Sequence, residues 1–386
     1  MSQVTASPCV SLQASALEWI NSDHSNSYIE VDGVPYIAPE HSKNQVKKAG
    51  NVFVGKEDGD IDHAETVLGN WRAAHSYPLQ LARITLRNRC KRYDFGYKPI
   101  VVQRLKRRAS IKAKLVRFPR MKLSTMQDIA GCRAIVGDMD GLVDLTEGYL
   151  RRPPKRFRLV GFDDYVITPK PDGYRSTHII YEYSADSETM MPFNGLKVEL
   201  QLRTQIQHAW ATAVEVVSVF TKQNLKAGIG DDKWKRFFYL ASDLLMLMER
   251  PSPHPPIDSF MPELYSLWNE LNIEVFLKGC VVSHHTAPFI PSRLHPHKLM
   301  ILNTIKKGIQ VHGFQKGHLT NALRMYDLLE REHEDDPHIL VLLVTGDSMT
   351  KLEQAYPNFY LDTTEFLDKM TFGIQLWEYS LKTKSK

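Results

Sequence analysis

Two acidic residues, Asp128 and Glu199, together with a run of cations between Arg104 and Lys114, carry the chemical signal of this 386-residue chain. Moving a phosphoryl or pyrophosphoryl group asks for carboxylates to hold a metal, cations to hold the donor phosphates and a surface for the acceptor. Asp128 stands just before an expected strand, Cys132 to Val136. Glu199 lies in the middle of Lys197 to Arg203, where Val198, Leu200 and Leu202 alternate with Lys197, Glu199, Gln201 and Arg203. Successive strand side chains point to opposite faces, so the four polar groups form one row above an apolar underside. Mg²⁺ takes one or two protein carboxylates and completes its shell with phosphate oxygens and water, so Asp128 and Glu199 suffice as candidate ligands. Taken singly, Asp128 also reads as a surface acid, and a plain amphipathic edge strand also gives the polar row around Glu199.

Arg104, Lys106, Ser110 and Lys114 form the candidate donor side. The stretch Arg104 to Arg117 reads as a basic helix on which Ser110 and Lys114 are i and i+4 neighbours, with Arg104 and Lys106 approaching from the preceding turn. Tyr174 follows the turn Pro171-Asp172-Gly173 and opens an expected strand, where it is placed to stack on a base, with Lys170 and His178 near the phosphates of an acceptor nucleotide. A near match to a P-loop, Gly50 to Lys56, is set aside. Glu57 stands where a Ser or Thr must bind Mg²⁺, and Gly59 interrupts the helix that should follow.

Elements of ordinary kind must position these groups. Helical spacing runs from His63 to Tyr93 and is expected to break at Pro78. Ser124 with Gln127 fits a capping box for a short helix ended by Gly131, and Thr204 with Gln207 fits another for a helix burying Ile206, Trp210, Ala213, Val217 and Phe220. A helix is also expected from Ser11 to Asn21. Arg250 to Pro256 reads as a linker. Beyond it helices are expected at Met261 to Cys280, His297 to Val311 and His318 to Arg331, and a strand at Ile339 to Val344.

With 43% hydrophobic and 24% charged residues, the composition is that of a soluble protein of about two domains. The longest apolar run, Ile339 to Val344, is far short of the roughly 20 residues that cross a bilayer, and Met1 to Ser11 lacks a signal-peptide pattern, so the cytoplasm is the expected compartment. Four isolated cysteines, Cys9, Cys90, Cys132 and Cys280, argue against a disulfide framework and a zinc site. Charge is uneven: Arg83 to Lys122 holds fifteen cations and one acid, Asp94, a balance of +14 in a chain of total +5. Such a segment is suited to a phosphate-bearing ligand.

Four blocks in order resemble the synthetase domain of the RelA/SpoT family: R-L-K-R-R-A-S-I-K-A-K (Arg104 to Lys114), M-Q-D-I-A-G-C-R (Met126 to Arg133), D-D-Y-V-I-T-P-K-P-D-G-Y-R-S-T-H (Asp163 to His178) and V-E-L-Q-L-R-T (Val198 to Thr204). The resemblance implies an α+β fold with a nucleotidyltransferase-like mixed sheet flanked by helices. It also implies transfer of the β,γ-pyrophosphate of ATP to a ribose 3′-hydroxyl with release of AMP. By motif match Asp128 and Glu199 would hold Mg²⁺, Glu199 would take the hydroxyl proton, and Arg104, Lys106, Ser110, Lys114 and Arg133 would hold ATP. Tyr174 would stack on the acceptor base, while Asp164, Lys170, His178, Gln201 and Arg203 would line the acceptor side. Many members carry R-x-K-D where this chain has Gly161-Phe162-Asp163-Asp164, which bears on the acceptor phosphates. No His-Asp dipeptide occurs in the chain, so the metal motif of the family's hydrolase domain is missing and synthesis without degradation is expected.

The implied organisation is an N-terminal extension (1–62), the pyrophosphokinase domain (63–249), a proline-rich linker (250–258) and a smaller, mostly helical C-terminal regulatory domain (259–386). Tyr356-Pro-Asn-Phe-Tyr360 resembles the Tyr-rich motif in the antitoxin-like domain of CapRel-type fused synthetases, making Tyr356 and Tyr360 regulatory candidates. That resemblance implies a toxin acting on the 3′-CCA end of tRNA, a C-terminal domain that restrains it, a phage protein as trigger, and greater toxicity on truncation near Pro251 to Pro256. The +14 segment suits an RNA acceptor. GDP or GTP is the other acceptor, and a non-catalytic nucleotide or RNA module is the third reading.

Overall fold

The computed structural model describes residues 28–92, 98–221, 223, 225, 229–250, 256–281, 295–303, 308–333, 336, 338–345 and 363–384. A short hairpin, β1 (Tyr28–Val31) and β2 (Val34–Ile37), leads into helices α1 (Lys43–Phe53), α2 (Ile61–Ala74) and α3 (Ser76–Cys90). Then follow β3 (Ile100–Leu105), α4 (Arg108–Arg117), β4 (Ala130–Val136), α5 (Met139–Arg151), β5 (Phe157–Asp164), β6 (Thr177–Tyr183), β7 (Lys197–Thr204), α6 (Gln205–Phe220) and α7 (Asp232–Glu249). The remainder contributes α8 (Met261–Glu270), α9 (Ile273–Val281), β8 (His297–Asn303), β9 (Gly308–Phe314), α10 (Leu319–Glu332), β10 (Ile339–Thr345) and α11 (Thr364–Lys384).

Eight strands form one mixed sheet in the order β5-β6-β7-β4-β3-β10-β8-β9. Among the described residues only β4 and β7 run parallel; the other neighbours are antiparallel. This is the expected α+β class, a mixed sheet flanked by helices, with a further helical region at the C-terminus. Strands β8 to β10, which come from beyond the proline-rich stretch, extend the sheet from β3 outward. The boundary near residue 250 therefore divides the sequence and not the sheet.

Alternation along the strands builds a core on each face. Val101, Leu105, Cys132, Ala134, Val198, Leu200 and Leu202 pack with α1, α2, α3, α5 and α10 on one side. Ile100, Val102, Ile135, Met300, Leu342 and Val344 pack with α6 to α9 and α11 on the other. That second face changes character along its strands. On β3 the series Ile100, Val102, Arg104 passes from apolar to charged, and on β4 the partners Ile135, Arg133, Gly131 do the same. The helices cover the apolar part and leave the charged part open.

Several expectations need correction. Arg104 lies in β3 paired with Gly131, and the helix begins only at Arg108, because Ile100, Val101 and Val102 favour the strand ahead of it. Pro78 does not break the helix. The break falls at His75, and Pro78 sits in the first turn of α3, where its missing N–H has no partner to lose. Ser124 and Gln127 do not cap a helix: Leu123–Thr125 is a single 3₁₀ turn. Tyr174 lies in a loop, and the strand starts at Thr177. His297 to Val311 is not a helix but most of the antiparallel pair β8 and β9. Leu299 enters one core while Met300 and Leu302 enter the other, so the run reads as continuously apolar and shows no alternation. Thr204 does cap α6 in a full capping box with Gln207. The expected helix Ser11 to Asn21, the linker residues 251–255 and the segment of Tyr356 and Tyr360 lie outside the described residues. Among the described residues no helix is long and apolar enough to cross a membrane.

Candidate active site

The charged part of the second face forms an open cleft lined by Arg104, Lys106, Asp128, Gly131, Arg133, Glu199 and Gln201. Register explains the convergence. Gly131 of β4 pairs with Arg104 on one side and Glu199 on the other, and Arg133 pairs with Gln201, which in turn pairs with His178 of β6. Paired residues share a face, so three strands aim these side chains at one place. Gly131 carries no side chain, and a Cβ there would meet only the Arg104 carbonyl at 3.8 Å, so the cleft floor stays clear.

At one end of the cleft Asp128 Oδ2 accepts from Lys106 Nζ at 3.0 Å and from Lys114 Nζ at 2.8 Å. Burial pushes the Asp128 carboxyl up, but the two ammonium groups overcome it and hold the pKa at about 2. Burial lowers the Lys106 pKa despite Asp128. Asp128 Oδ1 is buried with no protein partner. Ser110 is half-buried one turn before Lys114 on α4.

At the other end five side chains form a chain of hydrogen bonds. The Tyr174 hydroxyl lies 2.9 Å from His178 Nε2, and His178 Nδ1 lies 3.0 Å from Glu199 Oε1. Gln201 Nε2 donates to Glu199 Oε2 at 2.6 Å, and Arg133 Nη2 donates to Gln201 Oε1 at 3.3 Å. Burial alone would lower the His178 pKa, but Tyr174 and Glu199 on its two nitrogens raise it to about 9. This favours the imidazolium, which donates from both nitrogens. Burial raises the Glu199 pKa, but the His178 hydrogen bond prevails and the carboxyl stays below its ordinary value. Tyr174 is drawn down to about 7 by His178 and then Arg203, against the burial that raises it. Arg203 is 4% exposed on the polar row of β7, and burial beside Arg133 lowers its pKa well below the usual range.

The loop carrying Tyr174 is held from below. Gly173 has φ +88°, and a Cβ there would lie 2.9 Å from the Tyr239 backbone, so the turn needs glycine twice over. Ser242 of α7 donates to the Gly173 carbonyl at 2.6 Å. Arg175, buried, donates to Ser242 and to the Val166 carbonyl and pairs with Asp243 at 2.8 Å. Lys170 lies over the rings of Tyr165 and Tyr174, at 4.3 and 5.1 Å from their centroids.

The structure thus gathers Arg104, Lys106, Lys114, Asp128, Arg133, Glu199 and Gln201 about the cleft, and ties Tyr174 and His178 to it. Asp164 is placed differently: its Oδ1 accepts from the Val166 and Ile167 amides and shapes the turn after β5. Its neighbour Asp163, paired with His178, is on the face of the site, and Tyr165 interacts with both Asp163 and Glu199. Strand parity through Asp163-Asp164-Tyr165 was the signal for preferring the flanking pair. The P-loop-like stretch has other work, since Gly50 packs on Leu123 within α1 and Lys56 donates to the Leu115 and Pro119 carbonyls.

Among the described residues no cluster of three or more His, Cys, Asp or Glu is arranged to hold a metal. Mg²⁺ does not need one: the orphaned Asp128 Oδ1 and the Glu199 carboxylate on one cleft fit an ion that draws its other ligands from phosphate and water.

Residues 103–223 match the family model described as the region found in RelA / SpoT proteins. The chain is 36% identical over 124 residues to the GTP pyrophosphokinase YjbM of Bacillus subtilis (strain 168), covering 31% of this chain and 57% of that protein. It is 29% identical over 168 residues to the GTP pyrophosphokinase YwaC of the same organism, covering 39% and 76%. Among solved structures, small alarmone synthetase 1 from Bacillus subtilis bound to its product pppGpp matches with 25% identity and a TM-score of 0.40, over 50% of this chain and 95% of that one. Every residue lining the cleft lies within the region that matches the RelA / SpoT family model.

Proposed function

We propose that the cleft catalyses ATP-dependent pyrophosphate transfer to a ribose 3′-hydroxyl. The observation that carries this reading is the union, across β3, β4 and β7, of a two-lysine carboxylate at one end and a His-held carboxylate at the other. Arg104, Lys106, Lys114 and Arg133 would hold the donor phosphates. Asp128 and Glu199 would hold Mg²⁺, which when bound supplies charge neutralisation on the donor phosphates. As the donor enters, Lys106 and Lys114 exchange Asp128 for phosphate oxygens. The acceptor 3′-oxygen then bonds to the β-phosphorus, the bond from that phosphorus to the α,β-bridging oxygen breaks, and AMP leaves. Glu199 is ionised at neutral pH and accepts the hydroxyl proton, with His178 and Gln201 fixing its direction.

A guanosine nucleotide is the acceptor we favour, because the matched relatives are named GTP pyrophosphokinases. The basic segment argues less for RNA than its +14 suggests. Arg83 and Arg108 are buried, Lys106 and Lys114 face Asp128, and Arg89 donates to the Gly148 and Arg152 carbonyls. A tRNA acceptor is kept as the second reading because Arg117, Arg120 and Lys122 remain exposed beside the donor helix. ATP labelled in its β,γ-phosphates, offered with GDP, GTP or deacylated tRNA, decides between them. Label in guanosine nucleotides supports the first reading, label at the tRNA 3′ end replaces it with the second, and label in neither with intact binding leaves a non-catalytic module.

A further inference from the structure

On the side of the donor loop away from the cleft lies a second charge cluster, built by residues far apart in sequence. Arg72 of α2 is 3% exposed. Its Nε donates to the Lys106 carbonyl at 3.1 Å, Nη1 meets Asp327 at 3.2 Å, and Nη2 meets Glu330 at 2.6 Å, both acids being on α10. The Tyr326 ring lies under the same guanidinium, 5.0 Å from centroid to Cζ. Glu330 Oε1 accepts from the backbone N–H of Arg108, the first residue of α4, at 3.2 Å. Arg108 Nη1 meets Asp327 at 2.9 Å and Nη2 meets Glu65 at 3.2 Å.

Helix α4 has no side-chain cap of its own and no acid in its first turn. A carboxylate on its first N–H satisfies one of the free amides and opposes the positive end of the helix dipole. Glu330 therefore supplies from α10 what the local sequence withholds. Arg72 meanwhile fixes the Lys106 carbonyl, and it needs the forked guanidinium because three acceptors are held at once. The pairing of Val344 and Thr345 with Arg104 and Gln103 secures the strand just upstream.

We infer that Asp327 and Glu330 are positioning residues for the donor side of the cleft: through Arg72 and Arg108 they fix the Lys106–Arg108 backbone and the start of α4, and so aim Lys106 and Lys114. The inference rests on the proposed role of those lysines in holding ATP. It gives α10 a function in catalysis at a site it does not touch, and it makes the region beyond residue 250 part of the donor machinery.

The test compares Glu330→Gln, Asp327→Asn and Arg72→Lys in the full chain, with Glu332→Gln on the exposed side of α10 as control. The expected result is an ATP KM raised about tenfold, short of the hundredfold that a misplacement of about 1 Å can cost. The acceptor KM should move less than about twofold, and Glu332→Gln should change nothing. Amide hydrogen exchange over residues 103–111 should quicken in the three variants, a readout that needs no nucleotide. Were the wild-type protein to transfer nothing from ATP, the proposed function would fall while the exchange result still judged the coupling. Folded variants with unchanged exchange over 103–111 and unchanged ATP KM would overturn the inference. If Glu330→Gln does not fold, Asp327→Asn, which leaves the Glu330 contacts in place, decides on the same two readouts.

Discussion

Lys106 sits between two charge clusters, its side chain in a half-buried one and its carbonyl against a buried one. On the cleft side Asp128 is shared by two ammonium groups yet keeps an oxygen without a protein partner. On the far side Asp327 and Glu330 are matched by Arg72 and Arg108, with Arg331 adding to Asp327 and Glu65. The first cluster is short of partners in the way a ligand would complete. The second lies away from the cleft and matches charge with charge, although Arg108 Nε finds no hydrogen-bond partner, and its contacts end on backbone groups. Buried charges cost several kcal/mol each unless paired, so the open cluster is the one whose arrangement is explained by something that binds.

Removing the far cluster erases this contrast most completely. Ending the chain at Arg250 deletes Asp327 and Glu330, strips β10 from β3 and leaves Arg72 without its two acids and Arg108 with Glu65 alone. Removing one partner of a buried pair costs about 3–5 kcal/mol, and here three ion pairs go together with the neighbour of a central strand. We expect insoluble or inactive protein, read by sedimentation and circular dichroism. This is opposite to the greater toxicity expected from the CapRel resemblance, and a soluble fragment with equal or higher transfer activity would restore that expectation.

Next in size is the cleft itself. Glu199→Gln keeps the shape but removes the proposed base and metal ligand, so transfer should fall by about 10²–10⁴-fold. Thermal stability should fall as well, because the amide can accept from His178 but turns its NH2 towards the Gln201 donor and no longer balances the charge on His178. A drop of less than about tenfold in initial-rate assays would move the proton acceptor elsewhere.

Much of this cleft was legible locally. The alternation of Lys197 to Arg203 fixed the polar row of β7, and Thr204 with Gln207 fixed where the strand gives way to α6. Asp163 and Tyr165 were one strand position from the residue chosen and needed only the parity of β5, an element without alternation of its own. The far cluster was beyond local reading. Arg72 and Glu330 are 258 residues apart, and each looks alone like an ordinary helix charge. Strand β8 was missed for a related reason, since burial on both faces erases the period that distinguishes strand from helix.

The imidazolium link offers a gentler probe. The His178 pKa is raised from 6.5 to about 9, so the stability it contributes is fully present below about pH 6.5 and is lost as pH rises through about 9. Deprotonation also withdraws a donor from Glu199 or from Tyr174. Activity and melting temperature should therefore both decline between about pH 8 and 10, and His178→Gln should flatten that decline. A wild-type profile flat through pH 9.5 would show that the ring is neutral in the resting protein.

The smallest effects are expected at the exposed cations, where the two acceptor readings part. Arg117, Arg120 and Lys122 make no charged contact with the acids of either cluster, and each is exposed. If the acceptor is a nucleotide held within the cleft, changing all three to alanine should alter the GDP reaction by less than about twofold, as surface substitutions away from special features do. If the acceptor is tRNA, each phosphate-binding cation removed should lower the salt slope of binding by about one and weaken transfer at physiological salt. Measuring both reactions on the triple variant across salt concentrations of about 50–200 mM sets the surface against the cleft: a tRNA reaction that survives unchanged would show that these cations serve neither acceptor.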